Sequence, residues 1–351
     1  MNDLPGLDVT ALEGWLAYEH PELLTGEPLS ARPLTGGLSN LSYLVTGGAE
    51  RWVLRRPPLG HVLSTAHDMR REFRVISALR DTGVPVPVTH LHHVDDDGSA
   101  GVGTEFYLMD FVEGATINDR ADNGAFSPEQ RRALAGELAG VLAALHEVDP
   151  ESVGLADFGR PAGFLERQVS RWRRQLDQSR SRAIPTLDAL MDAVSASVPE
   201  SAGASIVHGD YRLDNTLIAL HDDRPRVTAV LDWEMSTLGD SLTDLGLLGV
   251  YWELHAVPGA AGSALASAID PDAGYASFAE LVDDYARHRG FRVPDLSWYL
   301  AFASAKLAII LEGIHYRYTL GQTVGHGFDT IGRLVPGLAD AGLGRLGRAG
   351  S

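Results

Sequence analysis

Two short stretches of the chain place acidic and amide side chains where they could carry out chemistry on oxygen. The stretch "IVHGDYRLDN" runs from Ile206 to Asn215 with Asp210 five residues before its end, and "VLDWE" places Asp232 after a short apolar run. Polar groups beside buried strands are costly unless they are satisfied, so the pattern indicates a function for these charges. One carboxylate can orient a hydroxyl group, while the other carboxylate and the amide oxygen can hold Mg²⁺, which prefers oxygen ligands.

Neighbouring polar residues have structural interpretations. His208 is expected to brace the loop by hydrogen bonds, because Asp210 already offers an acceptor for the proton. Asp240 and Asp244, in "GDSLTDLG", are expected to act as an N-cap and a first-turn acid of the next helix. A two-metal hydrolase using His208, Asp210 and Asp232 is an alternative, but it leaves the N-terminal part of the chain without a role.

Composition narrows the class of protein. The chain has 351 residues and a formal net charge of −18, which argues against a general role in binding nucleic acid or anionic membranes. With no cysteine, any chemistry must use oxygen and nitrogen groups. The N-terminus carries acids where a signal peptide would carry bases, and we expect no stretch of about 20 apolar residues that could span a bilayer. These features predict a cytoplasmic protein.

The first part of the chain alternates between strand and helix patterns. A helix is predicted at residues 9–19, and apolar alternation on both sides of Gly47-Gly48 predicts two paired strands. Residues 68–79 have helical periodicity, and "THLHHV" and "TEFYLMDFVEG" are typical of strands. The sequence therefore predicts a small sheet with one helix packed on it.

The second part of the chain is predicted to be mostly helical. A helix begins near Ser127 with a Ser-Pro-Glu start signal, and others are predicted near 164–178, 242–254, 277–289 and 296–318. "GAAGSALASAID" is interpreted as a loop, and the C-terminal "GLGRLGRAGS" is interpreted as a loose tail. Two lobes are expected for a chain of this length.

The motif HGD-x-x-x-x-N followed by DWE resembles the aminoglycoside phosphotransferase and choline kinase group, which has a protein-kinase-like fold. This resemblance implies an α+β fold with two lobes: a small antiparallel-sheet N-terminal lobe of residues 1–114, with its hinge near 109–114, and a larger helical lobe of residues 115–351. The second lobe would hold the catalytic loop 206–215, the metal motif 231–234 and the acceptor pocket. The implied cofactors are ATP and Mg²⁺, with Asp210 as the catalytic base and with Asn215 and Asp232 as metal ligands.

Further segments follow the order found in kinases. "TGGLSN" resembles the phosphate-covering loop, "WVLRR" the strand that normally carries the ATP-pairing lysine, and "MDFVEG" the hinge that meets adenine. Arg55 holds the lysine position, with Arg56 as the alternative one residue later, and Glu72 is its expected partner. The residues implied to bind the nucleotide are Gly36, Gly37, Ser39, Asn40, Arg55, Glu72, Asp110 and Val112.

A narrower resemblance covers most of the chain. "GGLSNLSYLV", "WVLRRPP", "VHGDYRLDN" and "LDWEMSTLGDSLTDLG" are similar to the phosphotransferase domain that is fused to acyl-CoA dehydrogenases in some eukaryotes, and to its free-standing bacterial relatives. This similarity implies a hydroxyacyl-CoA as the small-molecule acceptor. The alternatives are an aminoglycoside-type antibiotic kinase and, in another class, a nucleotide-binding pseudokinase or scaffold.

Overall fold

The computed structural model describes residues 4–34, 40–59, 68–201, 203–260, 268–269, 271–322 and 328–349. The chain divides into two compact units, which we call the first unit and the second unit. The first unit comprises Met1–Glu113 and Thr228–Glu234, and the second comprises Gly114–Val227 and Met235–Ser351. The division between the units falls after Glu113, whereas the sequence interpretation placed the boundary of the lobes after residue 114.

The first unit is built on an antiparallel sheet of five strands in the order β1-β2-β3-β5-β4. The strands are β1 (Leu29–Pro33), β2 (Leu41–Gly47), β3 (Glu50–Arg56), β4 (Thr89–Val94) and β5 (Glu105–Asp110). A two-residue turn joins β2 to β3, and Gly48 in this turn has a φ of 64°, which glycine adopts without strain. The predicted hairpin at Gly47-Gly48 is therefore present.

Among its described residues, the first unit has two α-helices, one more than the predicted fold class gave this lobe. In α1 (Val9–Glu19), Leu12 and Leu16 are buried in an apolar cluster with strand residues such as Trp52. The second helix, α2 (Met69–Leu79), is capped by the Asp68 side chain and packs on β4 and β5. Its buried face is apolar except at Glu72, which carries a carboxylate.

The segment Thr228–Glu234 groups with the first unit, although the sequence interpretation placed the metal motif 231–234 in the second lobe. It contains the end of β8 (Arg224–Val230) and the motif itself. Hydrogen bonds to the first unit account for this placement: the Val230 N–H donates to the Pro85 carbonyl at 2.8 Å, and the Thr228 hydroxyl donates to the Glu113 carbonyl at 2.9 Å. Asp232 therefore belongs to the same unit as Arg55 and Glu72.

The second unit is mostly helical, as predicted. Its helices are α3 (Pro128–Glu147), α4 (Phe164–Ser179), α5 (Pro185–Ala196), α6 (Leu242–Trp252), α7 (Phe278–Arg289), α8 (Ser297–Thr319), α9 (Phe328–Ile331) and α10 (Leu334–Ala349). Two small sheets accompany them, one of β6 (Ser205–Val207) with β9 (Thr237–Gly239), and one of β7 (Thr216–His221) with β8. The predicted start signal at Ser127 is a capping box, in which Ser127 and Gln130 satisfy each other's main-chain N–H groups.

The C-terminal segment is a helix, so the prediction of a loose tail was wrong. Helix α10 packs on α8 and α5 and buries Leu334, Val335 and Leu338. Its glycines led to the wrong prediction. Gly342 serves close packing, because a methyl group there would lie 2.8 Å from the Leu190 side chain, whereas Gly344 and Gly347 have open space around them. Glycine in a helix can therefore mark a tight helix–helix contact.

Helix α8 is long and apolar enough to cross a bilayer by length and composition, contrary to the expectation that no segment would be. Its mean hydropathy is 1.3 over the relevant window, and 78% of that window is buried inside the structure. It packs against α4, α5, α6 and α10. This burial is typical of the central helix of a folded core.

Candidate active site

The loop that follows β6 is held in place by a buried carboxylate on α6. The main-chain N–H groups of His208 and Gly209 donate to the two oxygens of Asp244, at 2.7 and 2.8 Å. The Asp244 side chain is 1% exposed. The sequence interpretation gave Asp244 only the role of a first-turn acid, but the structure shows that it fixes the start of the loop 206–215.

A buried histidine completes this arrangement. His146 on α3 lies with Nε2 3.2 Å from Asp244 and with Nδ1 2.8 Å from the hydroxyl of Tyr285. Burial lowers the pKa of His146, and Asp244 only partly opposes this change. Burial alone would raise the pKa of Asp244, but the hydrogen bonds and charges of its neighbours hold it below the ordinary value. Asp244 is therefore ionised near neutral pH, and it is held by His208, Gly209 and His146.

Gly209 has a backbone conformation that other residues rarely adopt. Its φ is 84°, and a methyl group added there would lie 2.6 Å from the main-chain oxygen of Met235. A side chain at this position would therefore meet both backbone strain and a steric clash. The glycine of the HGD motif is required by the shape of the loop.

Asp210 and Asn215, which the sequence placed together, do contact each other in the second unit. The Asn215 amide nitrogen donates to the main-chain oxygen of Asp210 at 2.9 Å and to its carboxylate at 3.0 Å. These bonds use the nitrogen of the amide, so Oδ1 is the atom that Asn215 can offer to a cation. The Asp210 side chain is 29% exposed, which leaves it accessible to a substrate.

A cation that the sequence analysis did not single out lies beside this pair. Arg212 lies 2.9 Å from Asp214 and 3.9 Å from Asp210, and its guanidinium stacks over the ring of Tyr251 at 4.7 Å. Burial would lower the pKa of Arg212, but Tyr251 and the two carboxylates raise it above its ordinary value. Arg212 therefore carries a permanent positive charge next to the loop carboxylates.

The second group of predicted residues lies in the first unit and is centred on Arg55. Its Nε donates to Glu72 at 3.1 Å and one of its terminal nitrogens donates to Asp232 at 2.6 Å. Arg56 instead donates to main-chain oxygens, including that of Val102 at 2.8 Å. Of the two arginines considered for the lysine position, Arg55 is the one paired with Glu72.

The charges around Arg55 are largely removed from water. The side chains of Glu72, Arg55 and Asp232 are 1%, 13% and 29% exposed. Burial opposes the charge of Arg55, but Glu72 and Asp232 raise its pKa above the ordinary value. Burial raises the pKa of Glu72, and Arg55 counteracts part of this shift. Removal of Arg55 would therefore leave a buried carboxylate without its cation.

Asp232 has an unusual backbone conformation for a residue with a side chain. Its φ is 64°, in the left-handed region. The turn after β8 is supported by the Trp233 indole, which donates to the Val230 carbonyl at 2.9 Å. Strained backbone of this kind is common where a functional side chain must be aimed.

The other predicted nucleotide-binding residues are distributed over the first unit. Asn40 is 3% exposed, and neither atom of its amide has a hydrogen-bond partner among the residues described. Asp110 ends β5 and accepts a hydrogen bond from His90 Nε2 at 2.6 Å, while Val112 is partly exposed just beyond. Gly36, Gly37 and Ser39 lie outside the described residues.

The donor chemistry of these residues fits a magnesium nucleotide. The described residues contain no group of three His, Asp or Glu side chains placed to hold a metal ion by itself. Single carboxylates with an amide oxygen suit Mg²⁺, which usually keeps waters and takes further ligands from phosphates. The buried amide of Asn40 offers donors to an anionic oxygen.

Comparisons with known proteins show which family the sequence resembles. The sequence profile of the phosphotransferase enzyme family (APH) matches residues 30–291. Acyl-CoA dehydrogenase family member 11 of Rattus norvegicus is 34% identical over 342 residues, which cover 96% of this chain and 43% of that protein. The chain therefore spans less than half the length of this relative. The predicted resemblance to both groups is confirmed.

Solved structures of similar proteins show the fold. A Ralstonia eutropha protein provisionally assigned as an aminoglycoside phosphotransferase is 33% identical, with a TM-score of 0.81 over 97% of this chain and 98% of that one. The GDP complex of aminoglycoside 2′-phosphotransferase-IIIa is 15% identical, with a TM-score of 0.62 over 97% and 98% of the two chains. The predicted protein-kinase-like fold is confirmed.

Proposed function

Because this chain belongs to the phosphotransferase enzyme family, we propose that it transfers the γ-phosphoryl group of ATP to a hydroxyl group of a small molecule in a Mg²⁺-dependent reaction. The observation that carries this proposal is the loop 206–215, in which a partly exposed Asp210 carboxylate is fixed by Asn215 and by a backbone anchored on Asp244. A cytoplasmic location, where ATP is abundant, fits this reaction.

Each predicted site residue receives a role. Asp210 accepts the proton of the acceptor hydroxyl, and Asn215 and Asp232 hold the Mg²⁺, which neutralises phosphate charge when bound. Arg55, oriented by Glu72, pairs with phosphate oxygens. Its planar guanidinium can donate two parallel hydrogen bonds to them. The amide of Asn40, with Gly36, Gly37 and Ser39, contacts the phosphates, and Asp110 and Val112 contact adenine.

The acceptor that we propose is a hydroxyacyl thioester of coenzyme A. The support is the high coverage of this chain by a relative whose name links it to acyl-CoA chemistry. An aminoglycoside is the second candidate, supported by the structural neighbour with the higher TM-score, which is provisionally assigned to that substrate class. The two acceptors differ in charge, since an aminoglycoside is cationic and coenzyme A is anionic.

The test is a mass-spectrometric screen of the purified protein with ATP and Mg²⁺. We expect 3- or 4-hydroxyacyl-CoA thioesters to gain the mass of one phosphoryl group, and this gain should disappear in Asp210→Asn. Asp222→Asn is the matched control, because Asp222 is a fully exposed turn residue of the same unit. If an aminoglycoside were phosphorylated instead, the acceptor would be an aminoglycoside, and the reaction would still be phosphoryl transfer to a hydroxyl group.

A nucleotide-binding scaffold predicts a different result. ATP would bind, as measured by calorimetry, but no acceptor in the panel would gain a phosphoryl group. Nucleotide binding without turnover by any acceptor would therefore overturn the proposed enzyme activity. The presence of Asp210, Asn215 and Asp232 together favours the enzyme.

A further inference from the structure

One cationic residue of this chain differs in type from all the others. The sequence contains 29 lysine and arginine residues, of which 28 are arginine and one, Lys306, is lysine. Lysine carries a compact charge on a flexible stem, whereas arginine carries a wide planar group. Lys306 is thus the one position of this chain that carries the compact ammonium group.

That position is beside the loop of the proposed active site. Lys306 lies on α8, and its ammonium donates to the main-chain oxygen of Gly209 at 2.6 Å. It also lies over the ring of Trp172, 5.7 Å from the ring centre. Burial lowers the pKa of Lys306, while Asp210 and Asp244 oppose this effect and Arg171 adds to it. A largely buried ammonium is costly unless it has such partners.

Gly209 is therefore held by opposite charges on its two sides. Its N–H donates to the carboxylate of Asp244 on α6 at 2.8 Å, and its carbonyl accepts from Lys306 on α8. The carbonyl of Gly209 belongs to the peptide bond that it shares with Asp210. Rotation of this peptide would change the direction in which the Asp210 side chain leaves the backbone.

We propose that Lys306 is a positioning residue for phosphoryl transfer, which fixes the Gly209–Asp210 peptide and so aims the Asp210 carboxylate; this inference rests on the proposed function. The hydrogen bond acts on the loop rather than on the nucleotide. Loss of the ammonium therefore lowers the rate of the chemical step and leaves ATP binding intact.

The test compares Lys306→Met with Lys306→Arg. Methionine keeps the length and the apolar stem but removes the charge, and we expect kcat to fall about 100-fold while KM for ATP stays within about twofold. Arginine keeps a donor and should recover part of the lost kcat. Arg317→Met, an exposed position near the end of the same helix, is the control and should retain the wild-type kcat. A folded Lys306→Met protein with wild-type kcat would overturn the proposal.

A second measurement does not depend on activity. Because the chain has one lysine, labelling with ε-¹³C-lysine gives a single ε-carbon signal that can be titrated by NMR. We expect a midpoint below the ordinary value of about 10.4, and a change of this midpoint in Asp210→Asn and Asp244→Asn. A midpoint at the ordinary value, unchanged in both variants, would place Lys306 in solvent and contradict the proposal. A wild-type protein without kinase activity would instead contradict the proposed function, and the two failures are distinguishable.

Discussion

Asn215 donates its side-chain amide to both the main-chain oxygen and the carboxylate of Asp210, at 2.9 and 3.0 Å. The amide therefore orients the carboxylate. In turn, the carboxylate holds the nitrogen end of the amide, so that the oxygen end stays available. The oxygen of Asn215 is left for a cation because its nitrogen is engaged. Substitution of Asp210 or of Asn215 should therefore also disturb the other residue of the pair.

Substitution of Asn215 tests this coupling. Asn215→Ala removes the donor that orients Asp210 and the proposed ligand of Mg²⁺, so we expect kcat to fall about 100-fold and half-saturation to require more Mg²⁺. The measurement is the initial rate as a function of Mg²⁺ concentration at saturating ATP. Asn118→Ala, at an exposed site, is the control. An unchanged Mg²⁺ dependence would exclude Asn215 as a ligand.

The buried ion pairs of Arg55 predict a loss of stability. Arg55→Ala leaves Glu72 buried without its cation, and breaking a buried pair in this way costs about 3 kcal/mol. Urea unfolding should show this decrease, together with weaker ATP binding by calorimetry. The control is Arg51→Ala, since Arg51 forms an exposed pair with Glu113 and should contribute about 1 kcal/mol or less. Equal effects of the two substitutions would contradict the role assigned to Arg55.

The backbone of Gly209 predicts a steric effect that can be separated from backbone strain. Gly209→Ala adds a methyl group 2.6 Å from the Met235 carbonyl at a φ of 84°. Gly154→Ala is the matched control, because Gly154 has a φ of 72° but open space around it. We expect strain alone to cost about 1 kcal/mol, and Gly209→Ala to cost more and to reduce activity. If the two variants lose the same stability, the contact with Met235 does not constrain the loop.

The buried histidine predicts a dependence of stability on pH. Burial keeps the pKa of His146 below its ordinary value of 6.5, so the unfolded chain takes up a proton on this side chain at a higher pH than the folded chain. The stability from neutral His146 is present above about pH 6.5 and decreases as pH falls, by up to about 1.4 kcal/mol per pH unit.

Urea midpoints at pH 7.5 and 5.5 measure this effect. The difference between the two pH values should be smaller in His146→Gln than in the wild type. His221→Gln should keep the wild-type difference, because the side chain of His221 is 81% exposed. A pH dependence that is the same in all three proteins would assign the effect to other groups.

The residues that could carry out chemistry were easier to predict from the sequence than the residues that hold the loop 206–215 in place. Asp210, Asn215 and Asp232 stand in short motifs, so their types and spacing singled them out, and the resemblance to the aminoglycoside phosphotransferase and choline kinase group implied the roles that we propose for them. Asp244 is 34 residues from Asp210 along the chain and its role depends on a tertiary contact, which explains why it was interpreted as a helix-start acid. Lys306 is a third kind of case, because its uniqueness is visible in the composition but its contact is visible only in the fold.

The first unit is built from two separate stretches of the sequence, so it cannot be completed early during synthesis of the chain. Residues 1–113 contain Arg55 and Glu72, but Asp232 and the strand end that bonds to Pro85 come from Thr228–Glu234. A nascent chain that ends at Glu113 therefore lacks part of its first unit. On the ribosome, where domains generally fold as they emerge, this unit must wait for residue 234 of 351 before its contacts can be complete.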